Sequence, residues 1–145
     1  TGSSDSKSEQ EKLKMLIHLV GDIHQPCHVG NGEDVGGNAV KVKWFGQNSN
    51  LHRVWDSEMI DSKAFSYTEL ADAVNITTKE EIKTLQKNTI DVWYQEAMDL
   101  RGQVYSLPED MYLGYEYSYK NWATVQDQIK KAGIRLAGLL NEIYG

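Results

Sequence analysis

Apolar residues recur along most of this chain at the spacing of helix faces, and only one stretch alternates like a strand. Leu13, Leu16, Ile17 and Val20 follow the i, i+3, i+4, i+7 pattern of one side of a helix. Ile82, Leu85, Ile90, Trp93, Ala97 and Leu100 predict a long second helix. A last helix is predicted from about Tyr115 to about Ile143. The tract "NAVKVKW" alternates instead, with Val40 and Val42 on one face and Lys41 and Lys43 on the other. "FGQNSN" follows it as a turn that can return the chain in a hairpin. The pattern predicts a mainly helical domain with one small β-hairpin.

Local signals place the ends of these elements. The start, "TGSSDSKSEQEK", reads as a polar loop, so the first helix is expected from about Ser8 to about His24. Pro26 ends it, because the residue before a proline is pushed out of the α region. Residues Gly30 to Gly37, "GNGEDVGG", form a glycine-rich loop. Asn50 caps a helix that begins at Leu51. "SYTELADAVN" is a further short helix, and "SLPED" breaks the long one. "TKEE", Thr78 to Glu81, has the form of a capping box, in which a hydroxyl and a carboxylate each satisfy an amide at the helix start.

A chain of 145 residues fits one domain with a real core. No apolar run approaches ~18 residues, so no membrane span is expected. The net charge of −6 argues against a basic surface for gripping phosphates. A protein of this balance that meets nucleic acid needs another source of positive charge, and bound metal ions are one. The single cysteine, Cys27, cannot form an internal disulfide. It is read as a small buried residue. Asn75 opens the glycosylation sequon "NIT", a three-residue match of low specificity. Most of the four tryptophans and eight tyrosines are expected in the core.

Histidine is scarce and concentrated. Three of the four histidines fall in "HLVGDIHQPCHVG", His18 to Gly30, and the fourth is His52 in "NLHRVWD". The pairs His18/Asp22 and His52/Asp56 have i, i+4 spacing, which places both side chains one turn apart on the same side of a helix. Imidazole and carboxylate are the usual ligands of zinc. His28 follows a proline-bent turn and can fold back beside Asp22. The candidate ligands are therefore His18, Asp22, His28, His52 and Asp56. His24 points elsewhere on its helix and is read as an orienting or packing residue. If the Leu13/Ile17 stripe enters the core, the His18/Asp22 pair faces solvent or a cleft. Three protein ligands with open positions make a catalytic rather than a structural zinc. Two or more adjacent ions suit phosphoester hydrolysis, one acidifying a water and another stabilising the leaving oxygen.

"HLVGDIHQPCHVG", "DVGGNAVKVKWFG" and "NLHRVWD", in this order and spacing, resemble the family of nuclease S-one and nuclease P-one. These are the type I, trinuclear-zinc, single-strand-preferring endonucleases of the phospholipase C/nuclease superfamily. The ending "AGIRLAGLLNEIY" resembles the family's last helix, so the likeness covers most of the chain. It implies that His18 and Asp22 serve a buried zinc, and that Asp22 bridges it to a close neighbour and is the catalytic residue. It implies that His28, His52 and Asp56 hold the remaining, more exposed zinc, whereas His24 matches a motif histidine that is not assigned as a ligand. The family's N-terminal tryptophan, a histidine soon after it, and a later aspartate and histidine have no counterpart before His18.

Residues 1–145 are thus expected to be the C-terminal portion of such a nuclease, lacking its N-terminal helices. One complete zinc site and part of a cluster are expected, with little activity from the chain alone. The missing segment, or self-association, is expected to cover bare apolar helix faces. Single-stranded DNA, RNA or nucleotide is the implied substrate, cut to 5′-phosphates, with removal of 3′-phosphates as a further activity. A secreted, periplasmic or vacuolar location is implied. Two other readings stand beside this one: a zinc-dependent phospholipase C, and a non-catalytic helical zinc-binding or interaction protein. The GGN loop and "NLHRVWD" favour the nuclease.

Overall fold

The structure is a computed structural model that describes residues 2–30 and 32–145. It is mainly helical, with one small sheet. Helix α1 spans Gly2–Ile23. Its start corrects the sequence expectation of a loop before Ser8. No proline stands in that stretch to forbid a helix.

Strands β1 (Lys41–Trp44) and β2 (Gln47–Asn50) form the hairpin. Val42 and Trp44 face the core and the lysines face out, as the alternation predicts. The turn is only Phe45–Gly46, both at positive φ (47° and 85°), the two-residue geometry that matches strand twist. "QNSN" is therefore strand rather than turn. A third strand, β3 (Tyr112–Leu113), pairs parallel to β1, with Lys43 opposite Tyr112 and Trp44 opposite Leu113. Two residues carry too little periodicity to be read as a strand in sequence, so the hairpin becomes a three-stranded sheet ordered β2-β1-β3.

Asn50 caps the next segment as expected, its side chain accepting from the Arg53 amide at 2.8 Å. That segment is α2 (Leu51–Arg53), a π turn (Val54–Glu58) and α3 (Met59–Asp61) in direct succession. Helix α4 (Tyr67–Val74) begins with a full capping box between Ser66 and Glu69. Helix α5 (Lys79–Lys87) has only half of the predicted one. Thr78 Oγ1 accepts from the Glu81 amide at 3.1 Å, but the Glu81 carboxylate turns to Thr77 and Lys130 instead.

The single long helix expected next is in fact α5, α6 (Ile90–Asp99) and α7 (Arg101–Val104). Asn88 and Thr89 are extended, with ψ of 137° and 165°, and break the helix. The Trp93 indole N–H donates to the Asn88 carbonyl at 3.1 Å, satisfying one group freed by the break.

Helix α8 (Tyr115–Tyr144) packs against α1, α3, α4 and α5. The core lies between it and the sheet, built from Val42, Trp44, Leu51, Val54, Trp55, Met59, Val104, Leu113 and Val125. Trp55 donates to the Tyr117 hydroxyl at 2.9 Å, and that hydroxyl donates to the Val104 carbonyl at 2.6 Å.

Helix α1 runs antiparallel to α8: its early residues Leu13 and Leu16 lie beside Ile143 and Tyr144, and its end lies beside Gln128 and Arg135. The stripe predicted on α1 is only partly inward. Val20 is buried, Leu13 and Leu16 are half-buried, and Ile17 is 46% exposed, with Met15 and Leu19 also exposed. No helix among the described residues is long and apolar enough to cross a membrane.

Candidate metal centre

The end of α1 and the turn after it carry the first group of donors. His24 N–H donates to the Gly21 carbonyl, Gln25 N–H to Asp22, and His28 N–H to Gln25, each within 3.1 Å. These successive turns bend the chain around buried Pro26 and bring His28 back over Asp22. His28 Nδ1 lies 3.1 Å from one Asp22 oxygen, and His18 Nε2 lies 3.2 Å from the other. One carboxylate is thus shared between two imidazoles. His18 is largely exposed, so the pair faces outward.

The second group comes from the segment after β2. His52 stands in α2 and Asp56 in the π turn. His28 Nε2 lies 3.2 Å from Asp56 Oδ1, and the rings of His28 and His52 stack with centroids 5.0 Å apart. Donor atoms of His28, His52 and Asp56 all lie within 4.8 Å of one another. His52 Nδ1 donates to the Gly36 carbonyl at 2.9 Å, which leaves the Nε2 lone pair for an ion and fixes the ring. Two imidazoles and one carboxylate, one ring already oriented by a backbone acceptor, fit a zinc ion with open coordination positions.

The glycine-rich loop exists to hold His52. Gly36 and Gly37 both have positive φ, at 62° and 85°. A Cβ on Gly36 would stand 2.5 Å from the Cys27 carbonyl oxygen, so any other residue there would force the loop or the Cys27 backbone to shift. The loop is tied down by Asp34, which accepts from the Gly37 amide at 3.1 Å and from the Tyr105 hydroxyl. That Tyr105 bond holds the Asp34 carboxyl below its ordinary range, while burial, then Asp34, push the phenol up to about 12.

His24 does not join the cluster. It is buried, tilted against Trp93. Arg135 can only donate, so its bond of 2.9 Å makes His24 Nε2 an acceptor, and the Nδ1 proton goes to the Val20 carbonyl at 2.7 Å. Burial, helped by the Arg135 charge, lowers the pKa of this ring and keeps it neutral. Cys27 is buried too, and burial pushes its thiol up to about 12. A group held as the thiol is a poor metal ligand.

The order of donors in the chain and their meeting point can be compared with known proteins. The family model described as S1/P1 Nuclease matches residues 1–145. The chain belongs to the S1/P1 nuclease family. Among its relatives, Endonuclease 3 of Arabidopsis thaliana is 34% identical, covering 92% of this chain and 51% of the relative. Nuclease S1 of Aspergillus oryzae is 33% identical over 90% of this chain and 53% of its own length. Nuclease P1 of Penicillium citrinum is 30% identical over 99% of this chain and 61% of its own. This S1/P1 family chain thus spans about half of the relatives it matches. Sequence reasoning did not find Asp34 and Tyr105, which brace the loop, or Gln128 and Arg135, which hold His24. Nothing local marks them, since each acts on a residue distant in the chain.

Proposed function

We propose that this chain is the C-terminal, ligand-bearing portion of a zinc-dependent endonuclease of the S1/P1 family. The whole protein hydrolyses phosphodiester bonds of single-stranded DNA or RNA to 5′-phosphate products, removes 3′-phosphates from nucleotides, and works in a secreted or periplasmic setting. The observation that carries the reading is the convergence of His28, His52 and Asp56 within 4.8 Å in a chain of this family. His28, His52 and Asp56 bind one zinc. His18 and Asp22 offer their paired donors to a further site, which residues from the rest of the protein complete. Asp22, shared between His18 and His28, orients both rings. When bound, zinc supplies Lewis acidity toward water and phosphoryl oxygen. Positive charge at this site also accounts for how a chain of net charge −6 meets a phosphodiester.

The test is Asp22→Ala in the whole protein, assayed on single-stranded DNA with zinc content measured in parallel. Loss of hydrolysis by at least a hundredfold is expected. Undiminished hydrolysis, or a wild-type protein that binds no zinc after reconstitution, overturns the reading.

A further inference from the structure

Helix α8 supplies no candidate donor, yet two of its buried polar side chains converge on the turn that carries them. Gln128 Nε2 donates to the His24 carbonyl at 2.7 Å, and Arg135 Nη1 donates to His24 Nε2 at 2.9 Å. With the Nδ1 bond to Val20, three hydrogen bonds of 2.7–2.9 Å fix backbone and ring of one residue. That residue stands between Asp22 and His28. Arg135 has no exposed side chain, and its charge is matched by Glu96 at 3.0 Å, with the Trp93 ring 5.3 Å away. Burying a guanidinium carries a desolvation cost that pairing must repay, and apolar residues would fill the same volume without that cost. Space filling alone therefore does not explain the arrangement. We infer that Arg135 and Gln128 are positioning residues for the metal centre: they clamp His24 and so set where Asp22 and His28 stand relative to Asp56.

The geometry explains why such a clamp matters. His28 reaches Asp56 across 3.2 Å, and zinc–ligand distances are near 2 Å. A shift of the turn by a fraction of an ångström spoils that fit. His24 cannot be a ligand itself, because its lone pair is used by Arg135. Its part is to transmit the position of α8 to the residues on either side.

The inference rests on the zinc reading above, and the test separates the two. Gln128→Met removes one neutral hydrogen bond and leaves the ion pair. Arg135→Lys keeps the charge and loses the fork. Ser118→Ala is the control, since it removes a comparable bond at the start of α8, Lys63 Nζ to the Ser118 hydroxyl at 2.9 Å, far along the helix from Gln128 and Arg135. Each is made in the whole protein and titrated with Co²⁺, reading affinity and the visible d–d spectrum, beside thermal unfolding. Gln128→Met and Arg135→Lys are expected to weaken Co²⁺ binding about tenfold and to alter its spectrum, as loss of outer ligand support does. Ser118→Ala is expected to leave both unchanged at a similar loss of Tm. Wild-type affinity and spectrum in the first two variants overturn the clamp while the metal site stands. Equal loss in Ser118→Ala overturns it as well, leaving only a stability effect. A wild-type protein that binds no Co²⁺ overturns both readings.

Discussion

Asp56 lies beside two imidazoles, and its charge is what an ion there needs most. Asp56→Asn keeps the shape and removes the charge, so zinc affinity measured by calorimetry should fall at least tenfold. Binding equal to wild type would show that the three donors do not share an ion. Gly36 offers a second residue-scale prediction. Alanine there must hold a left-handed φ and meet the Cys27 carbonyl at 2.5 Å. Gly36→Ala should destabilise the fold by about 1–3 kcal/mol and also weaken metal binding, because the Gly36 carbonyl orients His52. A variant with unchanged urea midpoint would refute the strain argument. At this scale the candidate donors were legible in sequence, since the spacing of His18/Asp22 and His52/Asp56 marks them. Arg135 was not, because its meaning depends on a contact 111 residues away.

At the level of elements, α6 and α8 are joined by Glu96 with Arg135 and Lys131. Burial alone would push the Glu96 carboxyl up, but the two cations outweigh it and hold it below the ordinary 4.5. The sign follows from linkage. A carboxyl depressed in the folded state adds stability that is complete above about pH 4.5 and is lost as pH falls through the lower folded value. Tm should therefore drop on acidification below that point, and Glu96→Gln should flatten part of this acid limb while lowering Tm near neutrality. An acid limb of unchanged slope in Glu96→Gln would assign the acid sensitivity to other groups. The strong helices were readable here, as were the hairpin and the Asn50 cap. The break at Asn88–Thr89 was not, because α5 and α6 both present apolar residues inward and the count runs on across the gap. The π turn was hidden for a similar reason: an extra residue in one turn leaves no mark on composition.

Across the whole molecule, the uneven face of α1 is the largest departure from the sequence pattern. Met15 and Leu19 stand exposed on one side of the helix and Ile17 on the nearly opposite side, and Ile90 and Val92 are exposed on α6. A chain supplied alone with the Met15/Leu19 side uncovered should self-associate, and Met15→Lys with Leu19→Lys should shift it toward the monomer in sedimentation velocity. A monomeric wild-type chain at high concentration would contradict this. The sequence could show that the stripe was apolar but not how much of it meets α8, since that depends on the angle at which two distant helices cross. The bond between Arg135 and His24 has a further consequence, in time rather than space. At synthesis rates of about 5–20 residues per second, the 111 residues between them take roughly 6–20 s to add. Throughout that interval the nascent turn carries its histidines and aspartate with no support from α8. The order of this turn is thus set late in synthesis, once Arg135 has been added, and a chain truncated before Gln128 would present these residues without the bonds from α8.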